Sequence, residues 1–219
     1  MTRPGKIVCV GRNYVAHARE LGNEVPERPL LFLKPPSAVI ASGGHIELPP
    51  ESERVEFEGE IGIVVGTRLR HAGRDEARAA VRGVVALNDV TARDLQKTDG
   101  QWTRAKGFDT FCPIGPERPA PAGNLAELTV VTRVNGAERQ RGTAAEMAFD
   151  IPALLAYISA VMTLEPGDVV ATGTPAGVGP LAPGDVVEVE VVGYSTVRNA
   201  VVAAPPAGEG AGNPHVQPG

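Results

Sequence analysis

The chain has 219 residues, 42% of them hydrophobic and 21% charged, with a formal net charge of −5 and a pI near 5.5. That length suits one sizeable domain with its own core, and the acidic balance argues against nucleic acid or an anionic membrane as the main partner. No stretch has the make-up of a secretory signal or a bilayer span, and Cys9 and Cys112 lack a CxxC or His-spaced neighbour. The expectation is a cytoplasmic protein with two reduced core thiols.

Along the chain, strand-like runs cover 6–10, 30–33, 38–40, 60–66, 84–88, 128–134, 168–172, 185–192 and 196–202. Helical signals are fewer. They predict a short helix over 13–21 capped by Asn13, another over 74–82, and a third from Asp150 as N-cap to Leu164, stopped before Pro166-Gly167. Asn135-Gly136 is a two-residue hairpin turn, and Pro-Gly-Asp at 166–168 and 183–185 each launch a Val-Val strand. Strands outnumber helices without a regular βαβ alternation, which predicts an α+β fold with a mixed or antiparallel sheet. The catalytic unit is expected over 1–203. The Pro/Gly-rich remainder, 204–219, reads as a flexible tail in which His215 is incidental.

The chemistry concentrates in a few segments. In Val55-Glu56-Phe57-Glu58-Gly59-Glu60-Ile61-Gly62-Ile63, side chains two apart on a strand share a face, so Glu58 and Glu60 point the same way, roughly 7 Å apart. Two carboxylates on a half-buried face repel unless a cation sits between them. Asp89, at the end of the next apolar run, supplies a third, and three carboxylates completed by water describe an open Mg²⁺ or Mn²⁺ site. The bland alternative is a solvated strand edge, which suits Glu51, Glu53 and Glu56 better. A helix starting after Asp89 would place Asp89, Arg93 and Gln96 on one face; equally, Asp89 is a simple N-cap with an exposed Asp–Arg pair. Lys106, between Ala105 and Gly107-Phe108, is either a poorly solvated ammonium for an oxyanion or an exposed loop lysine. His17 and Glu20, three apart on a helix, pair a base with an orienting carboxylate, although a lone His is usually structural. Thr172-Gly173-Thr174-Pro175-Ala176-Gly177-Val178-Gly179 lets backbone amides approach a ligand, but it has no Walker lysine and is no phosphate loop.

Taken together, Gly11-Arg12-Asn13-Tyr14 with His17 and Glu20, Leu31-Phe32-Leu33-Lys34-Pro35, Glu58-Gly59-Glu60-Ile61-Gly62, Asn88-Asp89 through Gln96, Ala105-Lys106-Gly107-Phe108 and 172–179 closely resemble the fumarylacetoacetate hydrolase family. The likeness is to its short single-domain acylpyruvase and oxaloacetate decarboxylase-like branch, and runs from about Ile7 to Val202. Two departures stand out: Glu56-Phe57 where many relatives have a His, and Gly107 where a Ser often follows the lysine.

The resemblance implies a mixed β-sheet roll or barrel with a few short helices. It implies Mg²⁺ or Mn²⁺ on Glu58, Glu60 and Asp89, and catalysis by Lys106 and by His17 with Glu20 on a lid over about 12–28. Substrate contacts fall on Arg93, Gln96 and Thr174. The implied substrate is a small 2-oxo or 2,4-dioxo acid, cleaved at a C–C bond by acylpyruvate hydrolysis or oxaloacetate decarboxylation through a metal-stabilised pyruvate enolate. The rival within the scaffold is a 2-hydroxyhepta-2,4-diene-1,7-dioate isomerase or 5-oxopent-3-ene-1,2,5-tricarboxylate decarboxylase of aromatic catabolism. A non-catalytic ligand-binding relative ranks lower, because the polar set is intact. Members of the family are usually homodimers, and the resemblance implies the same here.

Overall fold

The computed structural model describes residues 3–204, apart from Leu21 and Asn23. Of the expected tail, everything from Pro205 on, including His215, lies outside the described residues.

Two long sheets form the body. In the first, six strands run in the spatial order Arg118–Pro119, Val81–Asn88, Gly59–Val65, Val169–Ala171, Ile7–Gly11 and Leu30–Lys34. The second has five: Ala137–Thr143, Thr129–Val134, Val186–Val191, Ser195–Ala203 and His45–Leu48. Both are mixed, since Ile7–Gly11 lies parallel to Val169–Ala171, and Ser195–Ala203 lies parallel to His45–Leu48, while their other pairings are antiparallel. The α+β expectation therefore holds. The expected roll or barrel does not close: both sheets end in strands with a free edge, among them Arg118–Pro119, where the proline can offer no N–H to a further partner.

Side-chain alternation builds the core. Val8, Val10, Ile61, Ile63, Val65, Val84, Ala86 and Val170 point to one side of the first sheet and join the main core, to which Val130, Val187, Val189 and Val197 of the second sheet belong. Ile7, Cys9, Val64, Val85, Leu87, Val169 and Ala171 point to the other side, into a smaller cluster with Ala38, Cys112 and Ile114. With both faces covered, Gly59–Val65 is buried along its whole length, which is why it reads as a nearly continuous apolar run. Cys9 and Cys112 are free and buried, as expected, and burial pushes the Cys112 thiol up to about 12.

The helices are shorter than their sequence signals. Val15–Glu20 begins after Asn13, whose carboxamide does not cap it but bonds Phe149 and Thr172. Arg74–Ala79 stops two turns after Gly73, and Ile151–Val161 is capped by Asp150 through the Ala153 N–H but ends three residues before Leu164. Leu164 is instead drawn into a bridge with Leu69. The helix expected after Asp89 forms only over Arg93–Thr98, and a further helix, Thr103–Gly107, and the strands His45–Leu48 and Val55–Phe57 were not expected from the sequence.

This register brings the chemistry to one end of the six-stranded sheet. The C-terminal ends of Ile7–Gly11, Val81–Asn88 and Val169–Ala171 lie beside the N-terminal end of Gly59–Val65. Glu60 pairs with Leu87, so Glu60 shares its face, and Asp89 follows two residues later. Gly59 packs against the second sheet so tightly that a Cβ there would fall 1.8 Å from Thr132 Oγ1. Gly59→Ala is expected to destabilise the protein by about 1–3 kcal/mol, the usual cost of overpacking; an unchanged thermal melt would show that Thr132 yields freely.

Candidate active site

A cavity of about 560 Å³ opens at this sheet end. All nine residues singled out from the sequence line it: His17, Glu20, Glu58, Glu60, Asp89, Arg93, Gln96, Lys106 and Thr174. Val10, Gly11, Arg12, Phe32, Lys97 and Trp102 complete the wall.

The floor is a buried ionic cluster. One oxygen each from Glu58, Glu60 and Asp89 lies within 4.8 Å of the others. Lys106 Nζ donates to Glu58 Oε2 at 3.0 Å and to Asp89 Oδ2 at 2.6 Å, and sits 4.9 Å from the Phe32 ring centroid. Lys106 is fully buried in Thr103–Gly107, so the exposed-loop alternative is excluded. Lys34 Nζ donates to the other Asp89 oxygen at 2.7 Å. Burial opposes the charge on Glu58, but Lys106 and Arg93 outweigh it and hold the carboxyl far below its ordinary range. Glu60 goes the other way: burial, then repulsion from Asp89 and Glu58, raise it well above the usual value.

Asp89 is not helical. It sits between the strands Val81–Asn88 and Thr91–Ala92, and the helix starts at Arg93 with Ala92 as its N-cap, so the shared-face and N-cap readings of Asp89 both fail. Arg93 and Gln96 do share the helix, and Arg93 Nη1 donates to Gln96 Oε1. Arg93 also donates through Nε to Glu56 and through Nη2 to Glu58, which engages three of the five N–H donors of a guanidinium. Glu56, expected to be solvated, is 2% exposed and pairs with Arg93 and Arg54. Glu51 and Glu53 are exposed, as expected.

Two carboxamides brace the backbone where Val55–Phe57 gives way to Gly59–Val65. Asn88 Oδ1 accepts the Glu58 N–H at 2.9 Å and Gln140 Oε1 accepts the Gly59 N–H at 3.0 Å. Gln140 also donates to Thr174 Oγ1 and to the Pro175 carbonyl, both at 2.7 Å. Thr174 spends its only hydroxyl proton on the Gly59 carbonyl. Sequence reasoning gave Gln140, Lys34 and Asn88 no role. Gln140 lies in the polar run Glu138-Arg139-Gln140-Arg141, which carries no burial signal, whereas Lys34 at the end of an apolar strand was a visible clue.

His17 is 5% exposed, and its Nδ1 lies 3.4 Å from Glu20 Oε2. The Glu20 carboxylate accepts the Gly177 N–H, with both oxygens at 3.1 Å. Gly177 has φ +102°, and a Cβ there would meet the Arg139 carbonyl at 2.1 Å, so the loop can come this close only with glycine.

The donor set fits a divalent cation. Glu56 is paired by Arg93 and Arg54, Glu58 by Arg93 and Lys106, and Asp89 by Lys34 and Lys106, so of the four buried carboxylates only Glu60 has no cationic partner among the described residues. Its only hydrogen-bond partner among the described residues is the Gly173 N–H, at 2.7 Å, so an ionised Glu60 is left uncompensated. Hard oxygen donors converging beside a buried carboxylate that no side chain neutralises suit Mg²⁺ or Mn²⁺.

Fold and site thus define an α+β protein with a buried carboxylate–lysine centre at the end of a mixed sheet. The chain belongs to the fumarylacetoacetate hydrolase family: the family model for the fumarylacetoacetate (FAA) hydrolase C-terminal region matches residues 6–202. It is 44% identical to a mitochondrial oxaloacetate decarboxylase of Dictyostelium discoideum over 87% of this chain and 90% of that one. A mitochondrial oxaloacetate tautomerase of Arabidopsis thaliana is also 44% identical, over 88% and 89%. Among solved structures, a 2-hydroxyhepta-2,4-diene-1,7-dioate isomerase from Mycobacterium marinum superposes with a TM-score of 0.83 at 44% identity, over 92% of this chain and 75% of that one. The family is one of enzymes.

The raised Glu60 carboxyl has a consequence for stability. Between its unfolded and folded pKa values the folded chain holds a proton that the unfolded chain has lost, so metal-free stability falls as pH rises through that window. In a chelator at pH 8, Glu60→Gln is therefore expected to melt about 2–4 °C above the parent, the shift that about 1 kcal/mol brings in a chain of this size. Added Mg²⁺ should raise the parent's melting temperature more than the variant's; a parent that melts higher than Glu60→Gln in chelator would refute the uncompensated charge.

Proposed function

We propose that the protein is a divalent-metal-dependent enzyme that cleaves a C–C bond in 2-oxo or 2,4-dioxo acids through a pyruvate enolate. The observation that carries this reading is the convergence of Glu58, Glu60 and Asp89, bridged by the buried ammonium of Lys106. Glu58, Glu60 and Asp89 would hold Mg²⁺ or Mn²⁺, which supplies Lewis-acid polarisation of the substrate's 2-oxo group.

The chain's own residues do the rest. Glu20 accepts the Nδ1 proton of His17 and leaves Nε2 as the basic atom. In acylpyruvate hydrolysis Nε2 takes a proton from a water that attacks the distal carbonyl. The C–C bond to that carbonyl then breaks, its electron pair moves into the enolate of pyruvate, and Lys106 offers its ammonium to the enolate oxygen. Oxaloacetate reaches the same enolate by losing CO₂ and needs no nucleophile. Arg93 and Gln96, tied to each other, and Thr174 face the substrate from the wall. The segment over about 12–28 acts as the lid that carries His17.

A second reading, tautomerase or isomerase, is favoured by the names of two of the relatives. The same residues serve it: a proton is taken from carbon or from the enol oxygen, the enolate is reprotonated at a different atom, and no C–C bond is broken. A panel of acetylpyruvate, oxaloacetate and an unsaturated 2-oxo diacid separates the outcomes. His17→Ala is expected to abolish acetylpyruvate hydrolysis, by about 10²-fold or more, yet spare oxaloacetate decarboxylation. Equal loss of both would overturn the division of labour, and parent activity only in interconverting isomers would establish the second reading.

We also propose a homodimer in the cytoplasm. The free edge strand Leu30–Lys34, with Leu33 49% exposed, supports the first. Cys9 and Cys112, both buried and not joined to each other, support the second. Light scattering on the eluted protein should give twice the 22.8 kDa chain mass, and Leu33→Glu should shift it toward the monomer; a parent that elutes as a monomer would remove the dimer.

A further inference from the structure

Two lysines lie almost wholly out of solvent, Lys34 and Lys106, each 1% exposed. The proposed chemistry uses Lys106 and leaves Lys34 without a task. A buried ammonium is costly to desolvate and is kept only where close partners offset that cost. Lys34 is not among the residues that line the catalytic cavity, so it does not meet a substrate there. Its Nζ donates at 2.7 Å to Asp89 Oδ1 and at 3.1 Å to the Val90 carbonyl, which engages two of its three N–H donors. Strand alternation puts Lys34 on the same face as Phe32, which packs on the small cluster around Cys9, Leu87 and Cys112. On that apolar side of the sheet the anion it meets is Asp89, 55 residues away in the chain. Lys34 holds both this side chain and the carbonyl of the next residue, and so fixes the carboxylate in rotation as well as in charge.

The two oxygens of Asp89 are therefore unlike. Oδ1 meets Lys34, whereas Oδ2 meets Lys106, a residue of the cavity wall, at 2.6 Å. The same division recurs in the other two carboxylates. Glu58 gives Oε1 to Arg93 and Oε2 to Lys106. Glu60 gives Oε2 to the Gly173 N–H, and its Oε1 has no partner among the described residues. Each carboxylate thus has one oxygen engaged by a donor other than Lys106.

We propose that Lys34 is a positioning residue that holds Asp89 Oδ1 out of the metal's coordination shell, so that Asp89 ligates through Oδ2 alone. The inference rests on the metal-dependent function proposed above and concerns which ion that site selects. Ca²⁺ takes about six to eight oxygens and readily accepts both oxygens of one carboxylate, whereas Mg²⁺ demands a tighter, near-octahedral shell. A carboxylate that offers a single oxygen favours the smaller ion. Arg93 acts on Glu58 in the same sense, but it lines the cavity, and its removal would disturb the substrate side as well. Lys34 reaches Asp89 from outside the cavity wall, which makes its effect separable.

The test titrates Mg²⁺ and Ca²⁺ separately into the metal-free full chain by calorimetry, with no substrate present. The parent is expected to bind Mg²⁺ at least as tightly as Ca²⁺. Lys34→Met should shift the ratio of the two dissociation constants toward Ca²⁺ by about 10-fold or more. Loss of a positive charge strengthens both ions alike, and loosened packing weakens both alike, so the ratio reads the coordination mode. Lys34→Arg keeps a charged donor and should return the ratio toward the parent's. Should Lys34→Met fail to fold, the infrared difference spectrum of the parent on Mg²⁺ loading decides. It is expected to show carboxylates bound through one oxygen, and the narrower band splitting of a carboxylate bound through two overturns the role. An unchanged ratio in Lys34→Met, or a parent that prefers Ca²⁺, also overturns it and leaves the metal-dependent function standing. A parent that binds neither ion overturns that function, and the role of Lys34 with it.

Discussion

Everything at this site depends on one ammonium group. Lys106 lies between Glu58 and Asp89 with none of its charge reaching water, and burial alone would push its proton off. The two carboxylates reverse that and hold it charged, while Lys106 in turn keeps Glu58 ionised against its own burial. Removing one partner of such a pair costs far more than the pair contributes, because it strands a buried charge. The strands Gly59–Val65 and Val81–Asn88 can therefore carry acidic residues at their meeting ends only because a helix absent from the sequence-based expectation, Thr103–Gly107, delivers a cation between them.

The charges are unevenly shared. Asp89 has an ammonium on each oxygen, Glu58 an ammonium and a guanidinium, and Glu60 a single backbone N–H. The imbalance separates two jobs within one cluster. Glu58 and Asp89 are pre-oriented anions, and Glu60 is where a further positive charge is most strongly wanted. Carboxylates held by outer partners in this way are the usual supports of a metal centre.

What the sequence revealed and what it hid follow from distance along the chain. Local signals were reliable: the Asn135-Gly136 turn joins Thr129–Val134 to Ala137–Thr143, and Asp150 caps its helix. The pairing of Glu58 with Glu60 was equally legible, because it needs only strand alternation. Contacts across the fold were not. Glu56 looked solvated because Arg93, 37 residues away, is its partner, and Gln140 looked like surface because the N–H it accepts belongs to Gly59, 81 residues away. The helix expected to start after Asp89 begins only at Arg93 for a similar reason: the Glu58 carbonyl takes the Asp89 N–H at 2.8 Å and draws the residue into the sheet end before the helix can begin. All nine site residues nevertheless reached one cavity, because the motifs that bear them sit at strand ends which the register gathers together.

The Gly173–Gly177 turn links parts of the molecule that chain order keeps far apart. Its Gly177 amide holds Glu20, and through Glu20 the imidazole of His17; three residues earlier, Thr174 is held by Gln140, which also grips the peptide between the two acidic residues. Base and acidic floor are thus fastened to opposite ends of a four-residue span. A shift of that span would misalign the proton acceptor and the carboxylates at once, and a residue with a side chain at 177, touching neither, would be felt by both.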